Sequence, residues 1–114
     1  MGITITIDKK NAVSIVHVAG KIDATTSEDL EDSLMDLLDK GETKIILELE
    51  NTDYISSAGL RVLVVITKHL YDSGFFCLCN VSENVSEIIE MAGFNTFMNV
   101  YEDLETALDQ IKKE

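Results

Sequence analysis

Proline is absent from this 114-residue chain, and with it any cis-proline switch. Cysteine is nearly absent: Cys77 and Cys79, in "FFCLCNV", are the only two. On a strand, residues two apart point the same way with Cα atoms about 6.5 Å apart, a geometry that suits neither a relaxed disulfide nor a complete metal site. No further Cys or His gathers near them in sequence, so they read as reduced, buried thiols acting as small apolar residues. Basic residues are scarce. Nine Lys and Arg stand against 21 Asp and Glu, for a net charge of −12. Such a chain is repelled by phosphate backbones and anionic lipid surfaces, which argues against nucleic-acid and membrane partners. The acidity fits either plain solubility or a partner with a basic docking face. No apolar run approaches the roughly 18 residues that span a bilayer. The opening "MGITITIDKK" lacks the basic-then-apolar order of a secretory signal, and Thr6 alone is a weak match to a myristoylation motif. A cytoplasmic protein is expected.

What is present is ordinary globular composition, 46% hydrophobic and 26% charged, in one domain over 1–114. "GITITID" puts Ile3, Ile5 and Ile7 on one face of a half-exposed strand. "KKNA" turns into a second strand, "VSIVHVAG", predicted to pair with the first as a hairpin. Leu30, Leu34, Leu37 and Leu38 then recur at helical spacing, with Thr25 and Glu28 fitting a capping box and Gly41 closing the helix. "TKIILELE" is a third strand. "GLRVLVVITKHLYDSG" is strand-like by propensity, but no turn signal interrupts it, and its length predicts a helix buried on more than one side. "FFCLCNV" reads as a strand covered on both faces. "SENVSEIIEMAGF" reads as a helix with Ser82 as N-cap, Val85, Ile88, Ile89 and Ala92 as the apolar stripe, and Gly93 as the stop. A short "FMNVY" strand and a helix carrying Leu104, Leu108 and Ile111 complete the chain. The order β-β-α-β-α-β-α-β-α predicts an α/β fold, a mostly parallel mixed five-strand sheet with four helices.

Catalytic and cofactor signatures are missing. "SSAG" places its serines ahead of the glycine, unlike the G-x-S-x-G of α/β hydrolases. There is no G-x-x-x-x-G-K-[ST], no G-x-G-x-x-G and no metal-ligand spacing. His17, within a strand, and His69, late in a helix, lack partners in sequence to act as bases. No catalytic residue, cofactor or metal is expected. Asp53, close after the third strand, resembles the phosphoacceptor position of response-regulator receivers. The acidic residues and the final-strand lysine that a receiver needs are not at their places. Ser56 and Ser57 sit where a strand hands over to a helix, so either can cap it, and either hydroxyl can accept phosphate.

The serines have company. "GKID", "IILELENTDYISSAGLRVL" and "EMAGF", in that order over one domain, resemble the STAS domain family, in particular the free-standing anti-sigma factor antagonists of bacteria. The resemblance implies a non-enzymatic module in signal transduction and transcription regulation. Its unphosphorylated form would bind an anti-sigma factor that is also a serine kinase and so release the sigma factor. Phosphorylation would end that complex, and a serine phosphatase would reset it. ATP would be used by the partner, leaving this chain without a cofactor. The family's phosphoacceptor, two places before Gly-Leu, falls on Ser57, with Ser56 the alternative. Asp23, Asp53, Ser56, Ser57, Ala58, Gly59, Leu60 and Arg61 make up the expected partner-binding set. Two departures stand out: Ser56 replaces the family's aspartate and Ala58 its Ser or Thr. The alternatives are a receiver-like phosphoacceptor modified on Asp53, or a STAS subunit of another signalling or transport assembly.

Overall fold

A computed structural model describes residues 2–112. Strand β1 (Thr4–Lys10) pairs antiparallel with β2 (Val13–Ala19), and β2, β3 (Lys44–Asn51), β4 (Phe75–Cys79) and β5 (Asn99–Tyr101) follow in parallel. The sheet order is simply β1-β2-β3-β4-β5. Helices α1 (Thr26–Asp39), α2 (Ser57–Leu70), α3 (Glu83–Met91) and α4 (Leu104–Lys112) complete the expected order, with a 3₁₀ turn at Phe94–Thr96 before β5.

A sheet that always advances in one direction through right-handed crossovers must carry its crossover helices on one face. Side-chain parity agrees. Val16, Val18, Ile45, Leu47, Leu49, Phe76 and Leu78 pack in one core with Leu30 and Leu34 of α1, Leu63 and Ile66 of α2, and Val85 and Ile89 of α3. The alternate residues Val13, Ile15, Ile46, Phe75, Cys77 and Cys79 meet Ala107 and Ile111 of α4 on the other face. Both thiols are free and buried, as their apolar setting required. Burial raises the pKa of each, Cys79's to about 12.

Helix α2 is the ambiguous apolar segment of the sequence, and the structure confirms a helix buried on several sides, through Leu60, Val62, Leu63, Ile66 and Leu70. A lone strand there could not have covered the sheet centre. Helix α1 buries Leu30, Leu34 and Leu37 and turns Glu28, Asp29, Asp32, Asp36 and Asp39 outward, which places much of the negative charge on one exposed face. Gly41, at φ +87°, ends it in a Schellman arrangement: the Glu42 N–H donates to the Leu37 carbonyl, and the Gly41 N–H to that of Leu38.

Three local expectations need correction. Thr25 is already helical and its side chain caps nothing. The box lies two residues earlier, where Asp23 Oδ1 accepts from the Thr26 N–H at 2.8 Å and Thr26 Oγ1 accepts from the Asp23 N–H at 2.8 Å. Ile7 is 44% exposed, because the helical layer reaches Ile3 and Ile5 but not the far end of this edge strand. Ala92 is exposed, since it sits at the C-cap where the chain leaves α3. Ser82 caps α3 as expected, accepting from the Val85 N–H.

Candidate functional site

The two sequence segments singled out, "GKID" and "DYISSAGL", meet beyond the C-terminal ends of β2 and β3. Their connection is a short ladder. Ile22 and Ile55 form a parallel bridge, with the Ile22 N–H donating to the Tyr54 carbonyl at 3.0 Å and the Ser56 N–H donating to the Ile22 carbonyl at 2.8 Å. The Gly20 N–H adds a bond to the Asn51 carbonyl, and Thr52 Oγ1 donates to the Val18 carbonyl at 2.9 Å. Asp23 and Ser56 therefore start two neighbouring helices from a fixed base.

Asp23 spends its carboxylate on α1. The Thr26 amide and hydroxyl, with the Thr25 amide, hold it below the ordinary carboxylate range. At α2 the two serines divide their roles. Ser56 is the N-cap: its backbone is extended and its Oγ accepts from the Gly59 N–H at 3.2 Å. Ser57 is the first helical residue, exposed, and no hydrogen bond holds its hydroxyl among the described residues. Its place beside the unpaired N–H groups and positive pole of α2 suits an anion.

The remaining expected residues separate into two groups. Asp53, Tyr54 and Arg61 are exposed and Ala58 is half-buried, so these form the surface around Ser57. Gly59 and Leu60 are buried beneath it. A Cβ on Gly59 would lie 2.7 Å from both Ile22 Cγ2 and Ile55 Cγ1, so the glycine is what lets the two loops close on the helix. The Asp53 carbonyl accepts from Asn84 Nδ2 at 2.7 Å, tying the start of α3 to the same loop. Arg61 reaches across to Glu31 of α1, Nη2 to Oε1 at 3.3 Å. No three His, Cys, Asp or Glu side chains among the described residues are arranged to hold a metal ion, and no helix there is long and apolar enough to cross a membrane.

A second polar cluster, on the α4 face of the sheet, escaped the sequence reading. His17 of β2 lies between two carboxylates, Nδ1 at 2.8 Å from Glu48 Oε1 and Nε2 at 3.0 Å from Asp8 Oδ2. Glu48 is nearly buried and also accepts from Asn80 Nδ2 and the Glu50 N–H. An imidazole can donate to two carboxylates only as the imidazolium. Burial opposes that charge, but the hydrogen bonds and charges of Glu48 and Asp8 outweigh it, so the pKa of His17 is raised above 6.5. Burial likewise opposes the charge on Glu48, and the bonds from Asn80, His17 and Glu50 outweigh it, so its pKa is lowered below 4.5.

A mostly parallel sheet in sequential order, with a capping serine and an exposed serine side by side at the start of α2, defines a small α/β domain. A sequence model of the STAS domain matches residues 4–107, and the chain belongs to that family. It is 36% identical to the candidate anti-sigma factor antagonist BtrV of Bordetella bronchiseptica over 109 residues, 95% of this chain and 94% of the relative. An anti-sigma factor antagonist of Mycobacterium paratuberculosis superposes with a TM-score of 0.90 at 23% identity, covering 96% of this chain and 94% of that one. The phosphorylated form of the Bacillus cell fate determinant SpoIIAA gives a TM-score of 0.71 at 18% identity, covering 95% and 99%. At such identities the two structures speak for the fold.

Proposed function

We propose that this chain is an anti-sigma factor antagonist, a non-enzymatic cytoplasmic protein whose docking surface is centred on Ser57. In the unmodified state it binds an anti-sigma factor that is also a serine kinase, and the sigma factor is released. Transfer of a phosphoryl group to the Ser57 hydroxyl ends that complex, and a serine phosphatase restores it. One observation carries the reading. Of two adjacent serines, Ser56 is committed to capping α2 while Ser57 is exposed with its oxygen unengaged. The names borne by the relatives support the partner class, and the phosphorylated state of SpoIIAA supports the chemistry. The outward acids of α1 suit a partner with a basic face.

The switch needs no rearrangement. A phosphate carries about −1.5 to −2 charges at neutral pH, and at the first residue of α2 it meets helix amides that tolerate it. A partner that buried a neutral hydroxyl would instead have to desolvate a dianion, which costs several kcal/mol. The test is capture from lysate by the parent, Ser57→Ala and Ser57→Asp proteins, followed by incubation of the captured kinase with ATP. Ser57→Ala is expected to retain the partner and resist modification, Ser57→Asp to lose it, and the parent to yield a phosphopeptide stable to hydroxylamine. Equal capture by both variants, or a hydroxylamine-labile phosphate on Asp53, overturns the proposal.

A further inference from the structure

We propose that Arg61 is the receptor for the phosphate placed on Ser57, and that it gives up Glu31 to take this role. The inference rests on the Ser57 reading above and deepens it. Ser57 opens α2, and Arg61 follows four residues later, so their Cβ atoms lie about 5–6 Å apart on one side of the helix. The order, anion first and cation one turn on, is the favourable one relative to the helix dipole. Arg61 is also the sole basic residue in the first two turns. Lys68 and His69 sit in the last turn, roughly 10 Å or more along the axis.

The present partner of Arg61 is easily displaced. The guanidinium makes one contact to Glu31 at 3.3 Å, with the Arg61 side chain 60% exposed and that of Glu31 27% exposed. Exposed pairs of that kind hold weakly. A phosphate offers nearly twice the charge of a carboxylate and the paired oxygens that a guanidinium fork matches. The exchange needs only a side-chain rotation, because Arg61 already stands between α1 and its own helix start. The Glu31 carboxylate is then left uncompensated beside Glu28 and Asp32 on the outer face of α1. Modification of one oxygen on α2 thereby changes the charge presented by two helices.

The experiment installs phosphoserine at position 57 during translation, so no kinase is required, and follows the phosphate by ³¹P NMR across its second ionisation. With Arg61 present that pKa is expected to lie about 0.2–0.4 unit below its value in Arg61→Gln, the shift expected of an ion pair one turn away. Glu31→Gln, which removes the competitor, should lower it further, and Arg61→Lys should fall between parent and Gln. A phosphate that titrates identically in the parent and in Arg61→Gln overturns the proposal. So does a shift produced by Lys21→Gln, in the neighbouring loop, and not by Arg61→Gln. Whether a partner kinase modifies Ser57 is decided separately by the lysate experiment, so either idea can fail alone.

Discussion

Replacing Gly59 with alanine tests whether the join between the two loops is as tight as its geometry. The added Cβ would stand 2.7 Å from Ile22 Cγ2, 2.7 Å from Ile55 Cγ1 and 3.2 Å from Ile55 Cδ1. Carbon atoms rest at about 3.5–4.0 Å, so close to 1 Å must be found on two sides at once. Neither isoleucine can retreat into water, for Ile22 is 0% and Ile55 1% exposed. Overpacking of this kind costs about 1–3 kcal/mol. The better helix propensity of alanine returns up to about 1 kcal/mol, so a net loss of about 1–2 kcal/mol is expected. Ile55→Ala alone should cost about 2–5 kcal/mol through the cavity it opens. In the double variant the methyl added at position 59 enters that cavity, so the combined loss should be about 1 kcal/mol less than the sum. Denaturant unfolding followed by circular dichroism measures all three. A Gly59→Ala protein as stable as its parent, or strict additivity with Ile55→Ala, would refute the close packing inferred at this site.

Ser56→Ala should lower stability by about 1 kcal/mol through loss of the cap, while Ser57→Ala stays within about 0.5 kcal/mol of the parent, both read from unfolding midpoints. Ala12, at φ +67° in the two-residue turn between β1 and β2, holds a conformation that glycine adopts without strain. Ala12→Gly should therefore raise stability by about 0.5–1 kcal/mol, measured as a shift of the denaturant midpoint. His17→Gln should flatten the alkaline side of the stability profile. Because the folded pKa of His17 is raised, its contribution is complete below about 6.5 and is lost as pH rises through the folded value, whereas that of Glu48, with a lowered pKa, is lost as pH falls through its own. Urea midpoints of parent and variant that stay parallel from about pH 5 to 9 would remove His17 from the account.

Element type was legible wherever periodicity was strong, as in the leucine spacing of α1 and the unbroken apolar run of β4. Helix α2 was legible only by length and by the lack of a turn signal, because its "VLVVI" centre has strand propensity. The cap of α1 was misplaced because Thr25-x-x-Glu28 matches the usual capping-box pattern, whereas Asp23-x-x-Thr26, which makes the reciprocal bonds, does not. The choice depends on where the backbone turns helical, which is set by Ile22 bridging to Ile55, a contact 33 positions apart. The same limit hid the second polar cluster. Strand parity puts His17 and Glu48 on definite faces, but only the β2–β3 register brings them opposite one another. The pairing of Arg61 with Glu31 was invisible for the same reason, since it depends on how two crossover helices lie side by side.

In the proposed mechanism, the placement of Ser57 is what lets so small a domain act as a switch. Its surroundings are fixed by the Ile22–Ile55 bridge, the Ser56 cap and the Asn84 bond to Asp53, so a modification there has little structure to move. What it moves is charge, on a chain already at −12. If burying the phosphate rather than the hydroxyl costs a partner about 4 kcal/mol, binding weakens by nearly a thousandfold, since each 1.4 kcal/mol is a factor of ten. A complex of about 0.1 μM affinity would then fall to about 100 μM and dissociate at ordinary cellular concentrations. A rigid platform is an advantage for this purpose, because none of that difference is absorbed by relaxation of the fold. The stability of the unmodified and modified proteins should accordingly stay close while their affinities part, a pattern that a switch built on unfolding could not produce.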